Sequence, residues 1–130
     1  MARGFALYDA VDVTHTCKAD STGTATFTFD AVDVGHTWDV TFIAVFSTST
    51  INGPCKIYLD DASLPSNFRG GTSAGTGDID TTASVIVPSN RSLVFQWTGL
   101  TVGAVCTVTL QYRDLVGIGY PSDRQLSSAL

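Results

Sequence analysis

Only two imidazoles are available to this chain, His15 and His36, and each follows an aspartate by three positions, Asp12 and Asp33. Imidazole with carboxylate is a donor set suited to zinc and its neighbours. Positions three apart in a strand, however, point to opposite faces. The four groups can meet only if the two turns are brought together. The simpler reading is a turn aspartate and a strand-end histidine, each hydrogen-bonded locally. Asp60, Asp61, Asp78 and Asp80 flank a long loop, and loop carboxylates are what calcium takes. Their spacing fits no EF-hand and lacks the closing Glu. Glu is in fact absent and all twelve acids are Asp, which favours turns over helices and limits paired-carboxylate chemistry to Asp.

The run Gly70-Gly-Thr-Ser-Ala-Gly-Thr-Gly-Asp78 has the glycines of a phosphate cradle. It has neither the Gly-Lys-Ser/Thr nor the following helix that such a loop needs. No Gly-x-Ser-x-Gly elbow is present. Cys17, Cys55 and Cys106 show no C-x-x-C spacing, which removes the zinc ribbon and the thioredoxin motif. No Cys sits in a cationic setting that would lower its pKa. The three are read as buried free thiols, with one disulfide plus a spare thiol as the alternative. No catalytic, metal or cofactor residue is assigned, and the chain is read as non-enzymatic. Trp38 and Trp97 fall in core register. Tyr58 and Tyr120 are freer to stack on a sugar ring.

The elements that position these residues are strands, because period-two alternation dominates. Residues 24–29 place Ala25, Phe27 and Phe29 on one face and three threonines on the other. Residues 38–46 place Trp38, Val40, Phe42, Ala44 and Phe46 together, while the opposite face changes from polar (Asp39, Thr41) to apolar (Ile43, Val45). That end is expected to be covered on both sides, by the fold or by a partner. Further strands are expected at 13–18, 54–60, 83–87, 92–98 and 104–113, with an eighth near 5–11. Turn-like breaks separate them, and short connections imply antiparallel neighbours. The pattern predicts an all-β domain over residues 1–113, an antiparallel β-sandwich or jelly-roll-like fold of seven to eight strands. An extended C-terminal arm follows over 114–130. Ser122 and Gln125 stand at capping-box spacing, so the arm can hold a short docking helix with Leu126, Ala129 and Leu130 on one face. So short a helix needs something to dock on.

Residues 61–81 form a long Gly-rich loop, and such loops are usually functional or pinned by a neighbour. One internal echo stands out: residues 8–16 and 29–37 are identical at seven of nine positions. The period is too short for a solenoid array.

Composition narrows the function classes. Charged residues are 15% of the 130-residue chain against 44% hydrophobic, where roughly 25% charged is typical. Threonine and serine replace the missing charge, and a surface of that kind is easier to desolvate against a partner. Net charge is −5 with seven Lys+Arg and no basic run, which argues against nucleic-acid binding. No apolar stretch has the length of a signal peptide or membrane span, so no membrane association and synthesis in a cytoplasm are expected. The sequon Asn90-Arg91-Ser92 carries little weight without a secretion signal.

Several features occur together. These are Gly35 with Trp38 and Val40, Ile57-Tyr-Leu-Asp-Asp61 with Pro65, Gly71-Thr-x-x-Gly-x-Gly-Asp78, Leu93-Val-Phe-Gln-Trp-Thr-Gly99, and Gly103 before a strand ending Tyr112-Arg113. Over residues 24–113 this resembles the small β-sandwich accessory proteins of tailed-bacteriophage virions, of capsid-decoration or minor tail and tail-tip type. The resemblance implies a virion protein made in the host cytoplasm. It would assemble as a homo-oligomer with other virion proteins, without cofactor. The candidate contact residues are Ile43 and Val45 at the doubly apolar strand end, Phe68 and Arg69 in the long loop, and Tyr120, Leu126 and Leu130 in the arm. The alternative is a carbohydrate-binding module that attaches to a host-surface glycan.

Overall fold

The computed structural model describes residues 6–79 and 85–117. Two antiparallel sheets pack face to face as an all-β sandwich. Nine strands appear among the described residues: β1 (Ala6–Lys18), β2 (Ala25–Thr28), β3 (His36–Ser47), β4 (Cys55–Leu59), β5 (Phe68–Thr72), β6 (Gly77–Asp78), β7 (Val85–Val87), β8 (Leu93–Trp97) and β9 (Val105–Gly117). One sheet has the order β1-β9-β3-β6, with β7 also paired to β3; the other has the order β2-β8-β4-β5.

Several expectations change. The proposed strands at 5–11 and 13–18 are one continuous β1, paired along its length with β9. The long loop is partly strand: a 3-10 turn at Pro65–Asn67 leads into β5 and then β6. Most short connections do not join sheet neighbours. The turn at residues 20–23 carries the chain from β1 in one sheet to β2 in the other, and only β4 and β5 pair as a sequential hairpin. β9 also runs on to Gly117, past the boundary expected at 113. The proposed docking helix, with Tyr120, Leu126 and Leu130, lies outside the described residues.

The doubly apolar end of β3 has a local cause. The β3–β9 register shifts between Val40 and Phe42, leaving Thr41 as the extra residue. A bulge of this kind flips the side-chain alternation. Trp38 and Val40 face the core before it, and Ile43 and Val45 face the core after it, at 6% and 4% exposure. Ile43 and Val45 are therefore core residues and not contact residues. The outward positions fall to Phe42 and Phe46.

The core lies between the sheets. Trp97, Phe95, Ile57, Leu93 and Leu110 are its largest fully buried side chains. The Trp97 indole N–H donates to the Gly75 carbonyl at 2.8 Å. Gly75 adopts φ +70°, and a Cβ there would sit 2.1 Å from the Gly53 carbonyl oxygen. The Gly-rich segment thus runs close against the chain before β4, anchored from inside the core. All three cysteines are free; Cys55 and Cys106 are buried and Cys17 is half-buried. Cys17 and Cys106 face each other across β1 and β9, and burial pushes the Cys17 thiol up to about 11.

Candidate functional site

Two edge strands, β1 of one sheet and β2 of the other, leave the sandwich open along one side. A cleft of about 580 Å³ lies there, within the roughly 300–1,000 Å³ usual for small-ligand sites. β1 supplies Val13 and His15, and β2 with its following loop supplies residues 27–33. His36 and Trp38 come from the start of β3, and Tyr112 and Asp114 from the far end of β9.

The aromatic rings form a continuous wall. His15 stacks on Phe27 at 4.8 Å between centroids, and Phe29 meets Phe27 edge-on at 4.8 Å. Phe29 also meets Trp38 edge-on at 6.1 Å, and Trp38 stacks on Tyr112 at 4.1 Å. Such arrangements suit the ring quadrupoles. Polar groups sit at the rim. His36 Nδ1 and Asp114 Oδ1 are 2.9 Å apart. That hydrogen bond holds the His36 pKa above the usual imidazole range, with partial desolvation opposing it. Burial first, and then the Asp114 charge, raise the Tyr112 phenol. Asp30 and Asp33 are exposed, and neither carboxylate has a hydrogen-bond partner among the described residues.

Both histidines and Asp33 therefore come to one place, whereas Asp12 lies opposite Gln111 on the outer face of the sheet. Among the described residues no group of three or more His, Cys, Asp or Glu is placed to hold a metal ion. The 8–16/29–37 echo is not repeated in backbone form. Its first copy is strand, while its second is mostly loop that enters β3 only at His36. The two copies nonetheless deliver both histidines to the same cleft.

A second surface is the outer face of the five-stranded sheet. β9 alternates buried Cys106, Val108 and Leu110 with outward Thr107, Thr109 and Gln111. On β1, Thr16 and Thr14 register with Thr107 and Thr109, and the Thr14 and Thr109 hydroxyls are 3.2 Å apart. On β3, Phe46, Ala44 and Phe42 register with Thr107, Thr109 and Gln111. Phe46 is 53% exposed and Phe42 37%. Charge stands toward the margins of this face, at Lys18, at Asp12, at the Asp39–Arg113 ion pair and at exposed Asp78 on the edge strand β6, in register with Ala44.

A third surface gathers Tyr58 and Phe68, whose rings meet edge-on at 5.8 Å. They line a shallow depression with Lys56, Ser63 and Pro65. Phe68 is exposed as a contact residue must be. The Arg69 guanidinium donates to the carbonyls of Ser66 and Phe68, so it braces its own turn. Two of the four calcium-type carboxylates are occupied locally. Asp60 accepts from the Ser92 N–H and pairs with Arg91. Partial burial raises its pKa, but those two contacts outweigh it and leave the carboxyl below its usual value. Asp61 accepts from the Ser63 hydroxyl and N–H. Asp78 pairs with β3, and Asp80 lies outside the described residues.

The cleft was not evident in the sequence as a site, because its rings come from four strands and read as core. The shared destination of His15 and His36 was the one available signal. Compared with known protein families and curated proteins, the chain matches no family model and no curated sequence.

Proposed function

We propose that this chain is a non-enzymatic structural protein of a tailed-bacteriophage virion, a capsid-decoration or minor tail/tail-tip component. It assembles through the outer face of its five-stranded sheet. The observation that carries the reading is that face: two exposed phenylalanines beside rows of threonine on the two long strands β1 and β9, with charge only toward the edges, Asp78 on β6 included. A Thr/Phe surface loses little on desolvation, and repetition in a symmetric particle multiplies a modest contact. The partners are other virion proteins and further copies of the chain. The location is the virion, after synthesis in the host cytoplasm. Mass spectrometry of purified particles is expected to find the chain at stoichiometric copy number. Particles that lack it would sink the reading.

A second reading, glycan attachment, is favoured by the Tyr58–Phe68 depression, where two rings and a few polar groups lie open to solvent. Glycan-array binding lost on Tyr58→Ala would support it. An array without binders would leave the assembly reading alone.

A further inference from the structure

The open edge of the sandwich has chemistry that neither reading uses. Its wall is aromatic and its rim is acidic. No lysine or arginine lines it, and its one imidazole–carboxylate pair, His36–Asp114, is closed on itself. Asp30 and Asp33 remain as open acceptors at the mouth. An anion would meet two carboxylates there, and the one imidazole on the rim with a raised pKa, His36, is already paired with Asp114. A neutral apolar guest would gain the rings but leave the carboxylates unused. A positive charge on an apolar body satisfies both, because ring faces attract cations and carboxylates complement them.

We propose that the cleft between β1 and β2 is a binding site for a small organic cation of the quaternary-ammonium or protonated-amine class. The rings of Phe27, Trp38 and Tyr112 receive its apolar part, and Asp30 and Asp33 complement its charge. The size lies in the range usual for a small molecule. The inference stands apart from the assembly reading, since the Thr/Phe face lies on the other side of the same sheet.

The test is a ¹⁵N–¹H titration of the full chain at constant ionic strength. Choline is the probe, and 3,3-dimethyl-1-butanol is its uncharged isostere. Choline is expected to give a saturable curve with shifts confined to residues 13–15, 27–38 and 112–114. The isostere is expected to bind at least tenfold more weakly. Trp38→Ala should abolish binding. Because that change can disturb the fold, Asp30→Asn with Asp33→Asn is the second variant. Both positions are exposed, and the pair should weaken choline severalfold while leaving the spectrum otherwise unchanged. Phosphocholine adds a phosphate beside the carboxylates and should bind less well than choline. The proposal is overturned if the isostere matches choline, if the double Asn variant binds choline unchanged, or if the shifts fall outside the cleft. Tighter binding of phosphocholine would also overturn it, in favour of a headgroup site.

Discussion

Replacing Phe46 with threonine tests the assembly surface without touching the core. Phe46 points outward between threonine rows, and threonine keeps the β propensity of the strand. It is 53% exposed and Phe42 37%; of the roughly 200 Å² that a phenylalanine can bury, this leaves about 100 and about 75 Å² available. At about 25 cal/mol per Å², complete burial in a contact contributes about 2.5 and about 2 kcal/mol per copy. Association also costs ordering and desolvation, so the full figure is an upper bound. A tenfold loss of affinity for Phe46→Thr, about 1.4 kcal/mol, is therefore the least that a central contact would show. The double variant with Phe42→Thr should lose about a hundredfold. The assay is sedimentation velocity over a concentration series, with reconstitution on particles that lack the chain. Circular dichroism and the thermal midpoint serve as fold controls. If the double variant is fully folded yet self-associates and binds particles as the parent does, the outer face is not the assembly surface.

Trp97→Phe should cost about 2–3 kcal/mol in urea unfolding. The change deletes the hydrogen bond to Gly75, worth about 1 kcal/mol, and leaves a void of roughly 40 Å³ at about 24 cal/mol per Å³; a loss below 0.5 kcal/mol would show that the Gly-rich segment is not held from the core. Stability should also depend on His36. Its folded pKa is raised by Asp114, so its contribution is complete below the unfolded imidazole pKa near 6.5 and is lost as pH rises through the folded value. Urea midpoints from pH 5.5 to 8.5 should therefore fall more steeply for the parent than for His36→Gln, and equal slopes would contradict the ion pair. With Cys17 pushed up to about 11 and Cys55 and Cys106 also raised by burial, native protein at pH 8 should react with Ellman's reagent at no more than the half-buried Cys17. All three thiols should react in denaturant, and rapid labelling of two or more in the native state would refute the packing.

Much of this fold was legible because alternation reports directly which side chains are excluded from water. Ala25, Phe29, Ile57, Leu93, Phe95, Trp97, Cys106, Val108 and Leu110 were placed inward by that pattern and are buried. Alternation cannot report a register shift. Residues 38–46 look apolar on both faces, and only the bulge at Thr41 shows that one face is core before it and the other face after it. β5 and β6 were hidden for a different reason. Phe-Arg-Gly-Gly-Thr and Gly-Asp contain almost no apolar pattern, and they become strands by pairing with β4 and β3. The candidate site was the least legible part, since nothing local distinguishes a ring that closes a core from one that lines an opening. Phe27 and Trp38 differ from Phe95 only in standing at the unsealed edge between the sheets.

The pairing of β9 has a consequence for how the molecule comes into being. It is the last of the nine strands, yet it lies between β1 and β3 and bonds to both along most of their length. Until it arrives, the first and third strands have no central partner, and the longest sheet cannot close. Contacts of such sequence separation make folding slow, on the order of milliseconds to seconds. During that interval two long strand edges stand open to other chains. A second copy that supplied its own β9 to this gap would exchange strands with the first, an intertwined dimer that competes with the closed monomer. Closure of the sheet within one chain and exchange of β9 between two chains thus draw on the same strand pairing.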